Sequence, residues 1–388
     1  MSRDTLKDLG FDSSRLARIA ARIKQDIEAE RYDGAALIAA RRGQVVLEVI
    51  EGFANRAAGR RLSPDAVFST MSVAKQFTNV LALSMVERGV LRLHAPIAEL
   101  LPQFRGMGKE KVNLFHLLTH TSGICSLIPN LSPEVLTNIE AITSYAAAHP
   151  LESAPGERVN YSIMVAHSVI ASLCLRADGG KRTFSQMLEQ EIFSPLKMRD
   201  TGLGLRPDLR ERFCPVKAVW KGGGALPPEA VEGMNVMLQI PDSELPAGGC
   251  VTTIGDLHRF AEMLRGGGEL DGARILSPST IKYAAQNHTG TLRNVLMDPV
   301  LSTRNWEATP ANIGIGFFVR GEGITPGVFG VMNSPNSFAG AGAGSTMFWI
   351  DPDRELTLAF LSTGLMEDSR NLERLGLISD LLLSSIVA

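Results

Sequence analysis

The chain has 388 residues, 45% hydrophobic and 21% charged, with 39 Lys plus Arg against 41 Asp plus Glu for a net charge of −2. That is ordinary globular composition with enough chain for a substantial core, and the charge balance removes the electrostatic case for nucleic acid or an anionic membrane surface as partner. Four cysteines, at 125, 174, 214 and 250, are too few and too scattered for a disulfide scaffold or a zinc cluster.

Charges interrupt residues 1–30 every few positions, so no signal-peptide core is written there. The longest apolar stretches, such as Asn79–Val86 and Leu381–Ala388, fall short of the ~18–20 residues that span a bilayer. The expectation is a soluble, cytoplasmic, reduced protein. Leu16, Ile19, Ala20, Ile23 and Ile27 recur at helical spacing, which predicts an amphipathic helix over 13–30 behind an Asp12-Ser13-Ser14 cap. Two apolar runs, Ala35–Ala40 and Val45–Ile50, flank Arg41-Arg42-Gly43-Gln44 and read as a hairpin. A short β-like segment, Ala66–Ser69, leads into a helical pattern from Ser72 to about Arg88, ended by Gly89. From 90 to 245 the pattern is mostly helical, with Pro- and Gly-bearing loops such as Ala154-Pro155-Gly156 and Gly222-Gly223-Gly224. A helix at Ile254–Arg265 follows. Gly314–Val319, Gly327–Met332, Ser345–Ile350 and Leu356–Leu361 then read as consecutive antiparallel strands, and a helix over Leu372–Ile386 closes the chain. The fold class is therefore α/β, an antiparallel sheet flanked by helices. Residues 1–89 and 246–388 supply that sandwich, and 90–245 form an inserted, mostly helical lobe.

Nucleophiles come next. No Gly-x-Ser-x-Gly elbow is present. Ser-x-x-Lys occurs three times, at Ser72/Lys75, Ser194/Lys197 and Ser279/Lys282, so context must choose. Pro195 interrupts the second, and Ser277-Pro278 places the third on an exposed first turn. Ser72-Val73-Ala74-Lys75 instead opens an apolar helix behind a strand. There i and i+3 side chains are neighbours. Burial lowers a lysine pKa so that it can accept a proton, and helix N–H groups can meet an oxyanion. Tyr161, one of four tyrosines, lies in a turn before a helix near Ser162, where its hydroxyl could shuttle that proton.

Ser72-Val73-Ala74-Lys75, Leu117-Leu118-Thr119-His120-Thr121-Ser122-Gly123, Pro155-Gly156 before Tyr161-Ser162, Gly248-Gly249 before Asp256-Leu257, Gly314-Ile315-Gly316 and Phe348–Pro352 stand in one order. In that order they resemble the serine β-lactamase-like family of class C β-lactamases, penicillin-binding peptidases and family VIII esterases. The resemblance covers nearly the whole chain and is closest in type to the esterases. It implies Ser72 as acylated nucleophile, with Lys75 and Tyr161 as base and proton shuttle. The family's third element, a Lys, His or Trp two residues before Gly, falls on Gly340-Ala341-Gly342. The N–H of Ala343 would then join that of Ser72 as oxyanion hole. Phe338-Ala339-Gly340 is a shifted alternative. Two departures stand out: Ile163 replaces the Asn of Tyr-x-Asn, and Gly340 replaces the carboxylate-binding Lys. Both remove polar groups suited to penicillins and leave a more apolar, roomier site for neutral esters.

Other residues receive lesser roles. Gly340–Gly344 runs into a strand-like segment rather than a helix, against nucleotide binding. His116 and His120, four apart on an expected helix, lack a third metal ligand, and His120 is expected to hydrogen-bond its turn near the substrate. Cys125 is expected near the pocket as a structural thiol, and His167 as a core histidine. The implied activity is hydrolysis of small-molecule esters or labile amides through an acyl-serine, with no metal or organic cofactor. The alternatives are acyl transfer from the same intermediate, D-amino-acid peptidase or β-lactamase activity, and a non-catalytic ligand-binding relative. A homodimer is allowed. Loops 217–247 and 286–312 are expected to carry specificity.

Overall fold

The computed structural model describes residues 3–128, 131–219 and 227–388; the expected Gly222–Gly224 loop lies outside them. Asp12 caps the first long helix, α1 (Ser13–Glu28), by accepting from the backbone N–H groups of Ser14 and Arg15. The hairpin follows as β1 (Gly34–Arg41) and β2 (Gln44–Asn55), paired from Arg41↔Gln44. With β3 (Arg60–Arg61), β4 (Phe318–Val319), β5 (Phe338–Gly342), β6 (Thr346–Asp351) and β7 (Leu356–Ser362) they make a seven-stranded sheet in the order β4-β5-β6-β7-β1-β2-β3. Every pairing in it is antiparallel. The ends of the chain thus meet in the sheet's centre, where Leu37 lies opposite Phe360.

Period-two alternation sorts the core. Leu37, Trp349 and Phe360 point to one face, onto Ile19 and Ile23 of α1 and Ile378 of the C-terminal helix, Asp368–Leu383. Ile38, Phe348 and Leu361 point to the other, onto Leu257 and Phe260 of the helix Ile254–Arg265. Because both faces are covered, the central strands carry apolar residues on both faces. Phe260 meets Phe77 and Phe348 edge-on, with ring centroids 4.8 and 5.5 Å away. That stack joins the sheet to the helix carrying the Ser72 motif. The same core continues into the helical region through Leu118, Val169 and Phe193.

A small sheet also ties the regions together. Val67–Ser69 pairs with Phe213–Cys214 and Cys250–Thr252, and the last pairs with Gly202–Leu203. Short strands therefore lie inside the stretch expected to be helical. Two expected strands are corrected. Only Phe318–Val319 of Gly314–Val319 is a strand, and Gly327–Met332 is a packed loop. Its backbone is satisfied by side chains instead of a ladder. Asp380 accepts from the N–H groups of Val331 and Met332 at 3.1 and 3.0 Å, and Asn333 accepts from Gly330 at 2.9 Å. Arg320 donates to the carbonyls of Gly330 and Val331 at 3.1 and 3.2 Å. Gly330 is required there, since a Cβ would strike the Asp380 carboxylate. Among the described residues no helix is long and apolar enough to cross a membrane.

Candidate active site

Ser72 sits in a 3-10 turn, Met71–Val73, that runs directly into the helix Ala74–Glu87. The turn is clamped from two sides. The Thr70 N–H and hydroxyl both donate to the Cys250 carbonyl, at 2.9 and 2.8 Å. The Thr346 hydroxyl donates to the Thr70 carbonyl at 2.8 Å. Met71 is held at φ 49°, which costs a non-glycine residue roughly 1–3 kcal/mol. Its side chain is buried against Val216, Val231 and Leu365, and that packing holds the strained turn. Ser72 is thereby turned into a cavity of about 230 Å³.

Lys75, 1% exposed, sends its Nζ to three oxygens: Ser72 Oγ at 3.0 Å, the Ile163 carbonyl at 2.8 Å and the Ala247 carbonyl at 2.8 Å. Burial lowers its pKa to about 7. The partner set then decides what the neutral amine does. Both carbonyls can only accept, so they take its two N–H groups, and the lone pair is left facing the Ser72 hydroxyl. This arrangement can draw the proton from Ser72.

Tyr161 closes the triangle. Its hydroxyl interacts with Ser72, yet burial outweighs that bond and pushes the phenol up to about 12, so it stays protonated at neutral pH. The ring is stacked on His120 at 4.4 Å and on Phe318 at 5.7 Å, with Lys75 Nζ 5.2 Å from its centroid. The backbone around it is pinned. Tyr161 N–H donates to Asn294 Oδ1 at 3.1 Å, the Ser126 hydroxyl donates to the Tyr161 carbonyl at 2.9 Å, and Ser126 Oγ accepts from the Ile163 N–H at 3.0 Å. Ser162 N–H donates to His120 Nδ1 at 2.9 Å. Burial and the nearby Lys75 hold His120 down at about 3, so it is neutral.

Ala343 begins the turn between β5 and β6 and lines the cavity together with Ser72. Gly342 makes that approach possible, because a Cβ there would come within 2.6 Å of the Thr70 carbonyl oxygen. Ser72, Tyr161 and Ala343 thus line one cavity, with the Lys75 amine on Ser72 Oγ. A model described as Beta-lactamase matches residues 19–382. The chain belongs to the beta-lactamase family.

It is similar to esterase EstB of Burkholderia gladioli, 33% identical over 208 residues, or 49% of this chain. The match spans about half of that relative's length, 52%. Among solved structures it is similar to a penicillin-binding protein homologue from Caulobacter crescentus, with TM-score 0.77 and 22% identity, covering 97% of this chain and 99% of that one. A family VIII carboxylesterase superposes with TM-score 0.73 and 17% identity, covering 95% and 98%. These likenesses establish the β-lactamase and penicillin-binding-protein fold that the motif order implied.

Within this family member the other expected site residues divide. Ile163 lines the cavity and also lends its carbonyl to Lys75. Gly340 does not line it. Its missing side chain leaves no extra room, because Gln76 packs into that position and a Cβ would come within 2.7 Å of Phe348. The roomier site expected from Gly340 is therefore corrected. His120 does not line the cavity either and lies behind Tyr161. Cys125 also lies outside its lining and packs on the apolar core, its thiol pushed up to about 11, chiefly by burial. His116 lies on the helix Leu114–Leu118, whereas His120 follows it at φ 56°, so the two do not share a helix face. Among the described residues no three His, Cys, Asp or Glu converge to hold a metal. His167 is a buried core histidine, its Nε2 bonded to Asn79 at 3.0 Å. Sequence reading missed Ser126 and Asn294, which pin Tyr161. Asn294 lies in the 286–312 loop, whose residues line the cavity, whereas none of the described residues of 217–247 does.

Proposed function

We propose that the chain is a serine hydrolase that cleaves small-molecule carboxylic esters or labile amides through an acyl-Ser72 intermediate. The observation that carries this reading is the seat of Lys75, a buried amine with two carbonyl acceptors and its third direction on Ser72 Oγ. In the first step Lys75 takes the Ser72 proton as Oγ bonds to the substrate carbonyl carbon. The oxyanion is met by the N–H groups of Ser72 and Ala343. Collapse breaks the bond to the leaving oxygen, which takes a proton from the Tyr161 hydroxyl, and the Lys75 ammonium returns one to Tyr161. Water then attacks the acyl-enzyme with the same groups acting in reverse.

One feature supports esters over β-lactams and D-amino-acid peptides: Ile163 stands on the cavity wall where the resemblance calls for an amide side chain. The cavity walls near Ser72 are largely apolar, which also supports competition by an alcohol or amine for the acyl group. Adding millimolar butanol and measuring butyl ester against free acid separates transfer from hydrolysis. The test of the main reading is steady-state turnover of p-nitrophenyl butyrate and of nitrocefin. Wild type is expected to hydrolyse the butyrate, with nitrocefin at least about 100-fold poorer in kcat/KM. Ser72→Ala is expected to lose about 10⁴-fold or more while keeping its Tm. Efficient nitrocefin hydrolysis would return the assignment to β-lactamase, and binding without turnover would make the chain a ligand-binding relative.

A further inference from the structure

The cavity does not end at the catalytic turn. Besides Ser72 and Tyr161 its lining takes in Ala341 on β5 and Asp368, Asn371, Leu372 and Leu375 of the C-terminal helix. Two separate loops add apolar side chains to the lining, Val300 and Leu301 from one and Val328 and Phe329 from the other. Ile324, 82% exposed, stands next to Thr325 and Pro326 of the lining.

Both loops are fixed. Asn294 Oδ1 accepts from the Leu296 N–H at 3.3 Å as well as from Tyr161, and the Val295 N–H donates to the Val159 carbonyl at 3.0 Å, so the 294–301 wall is fastened to the Tyr161 turn. The other precedes Gly330, whose loop is held by Asp380, Arg320 and Asn333. This part of the cavity is thus built into the fold. A substrate carbonyl must set its oxygen at Ala343 and its leaving oxygen toward Tyr161. The remaining substituent, the acyl chain, is then left to the part of the cavity that Ala341 and Leu372 line.

We propose that this extension is an acyl-chain pocket and that the substrates are esters of medium-length apolar acids, hexanoyl to decanoyl, rather than acetates. The proposal rests on the serine-hydrolase reading above. Each methylene buried along apolar walls adds about fourfold in kcat/KM until the pocket is full.

The experiment measures kcat/KM for p-nitrophenyl esters from acetate to dodecanoate and, separately, for butyrate esters of ethanol to octanol. Rates expected to support the proposal climb with acyl length through octanoate and respond weakly to alcohol length. Leu372→Trp, which fills that part of the cavity, should lower the octanoate-to-butyrate ratio at least tenfold, with a Tm measurement confirming that it folds. The wild-type series carries the test even where that variant is unstable. Highest activity on acetate or butyrate, or dependence on alcohol length instead, would overturn the acyl pocket and leave the hydrolase reading standing. No turnover of any ester would overturn both.

Discussion

Lys75 concentrates the chemistry of the site into one side chain, because the same burial that lowers its pKa also fixes where its lone pair points. The pH dependence follows with a definite sign. The amine works only when neutral, so kcat/KM should fall as pH drops through about 7 and level off above it. No descending limb is expected near neutrality, since Tyr161 keeps its proton up to about 12. His120, held at about 3, contributes nothing in this window. A pH–rate profile checks this, and a limb displaced to pH 9 or above would remove Lys75 as the base. Lys75→Arg, permanently charged, should cost about 10²–10⁴-fold in kcat. Gly342 makes a second residue-scale prediction. Gly342→Ala forces the strand end away from the Thr70 carbonyl and so moves Ala343 from Ser72. It should lower kcat by about 10²–10³-fold, the worth of one oxyanion donor, with KM little changed. Single-turnover acylation rates measure that step directly. Ser72, Lys75 and Tyr161 were named as candidates from motif order, and the structure brings the three together. Ser126 and Asn294 were not, because a lone polar residue in an irregular loop has no spacing to mark it.

At the scale of elements, the hairpin, α1 and the helix Ile254–Arg265 were readable because each carries a local signal: a cap, a period or a turn tetrapeptide. Gly327–Met332 has apolar content and glycines like a strand. What it lacks is a partner, and Asp380 and Arg320, distant in sequence, take its backbone groups instead. Such non-local satisfaction leaves no trace in a window of six residues. The 286–312 loop illustrates the functional side of the same point, since Asn294 Oδ1 accepts from the Tyr161 N–H and the Val295 N–H donates to the Val159 carbonyl, tying the loop to the Tyr161 turn. Asn294→Ala should loosen the cavity wall and the tyrosine together, lowering kcat/KM about tenfold while Tm moves by only a few degrees. An unchanged kcat/KM would show that the loop does not govern the position of Tyr161.

For the whole molecule, one packed stack links chemistry to scaffold. Phe348 of the sheet, Phe260 of the covering helix and Phe77 of the Ser72 helix touch in series. Phe260→Ala should cost about 3–5 kcal/mol of stability, read by denaturant unfolding, and should depress activity at temperatures where the fold still holds. A loss under about 1 kcal/mol would mean that the two layers do not depend on that contact. The joining of both chain ends in one sheet was visible as apolar runs at either end of the sequence. The small sheet stitched through residues 202–203 and 213–214 was not, because two-residue strands lie below any periodicity. Since the turn presenting Ser72 rests on this assembly, the most direct test of the account is the covalent state of the intact protein. Mass spectrometry after brief exposure to p-nitrophenyl butyrate should find one butyryl group on the wild-type chain, at Ser72, with a matching nitrophenol burst and no adduct on Ser72→Ala. An adduct at any other residue, or ester turnover surviving in Ser72→Ala, would contradict it.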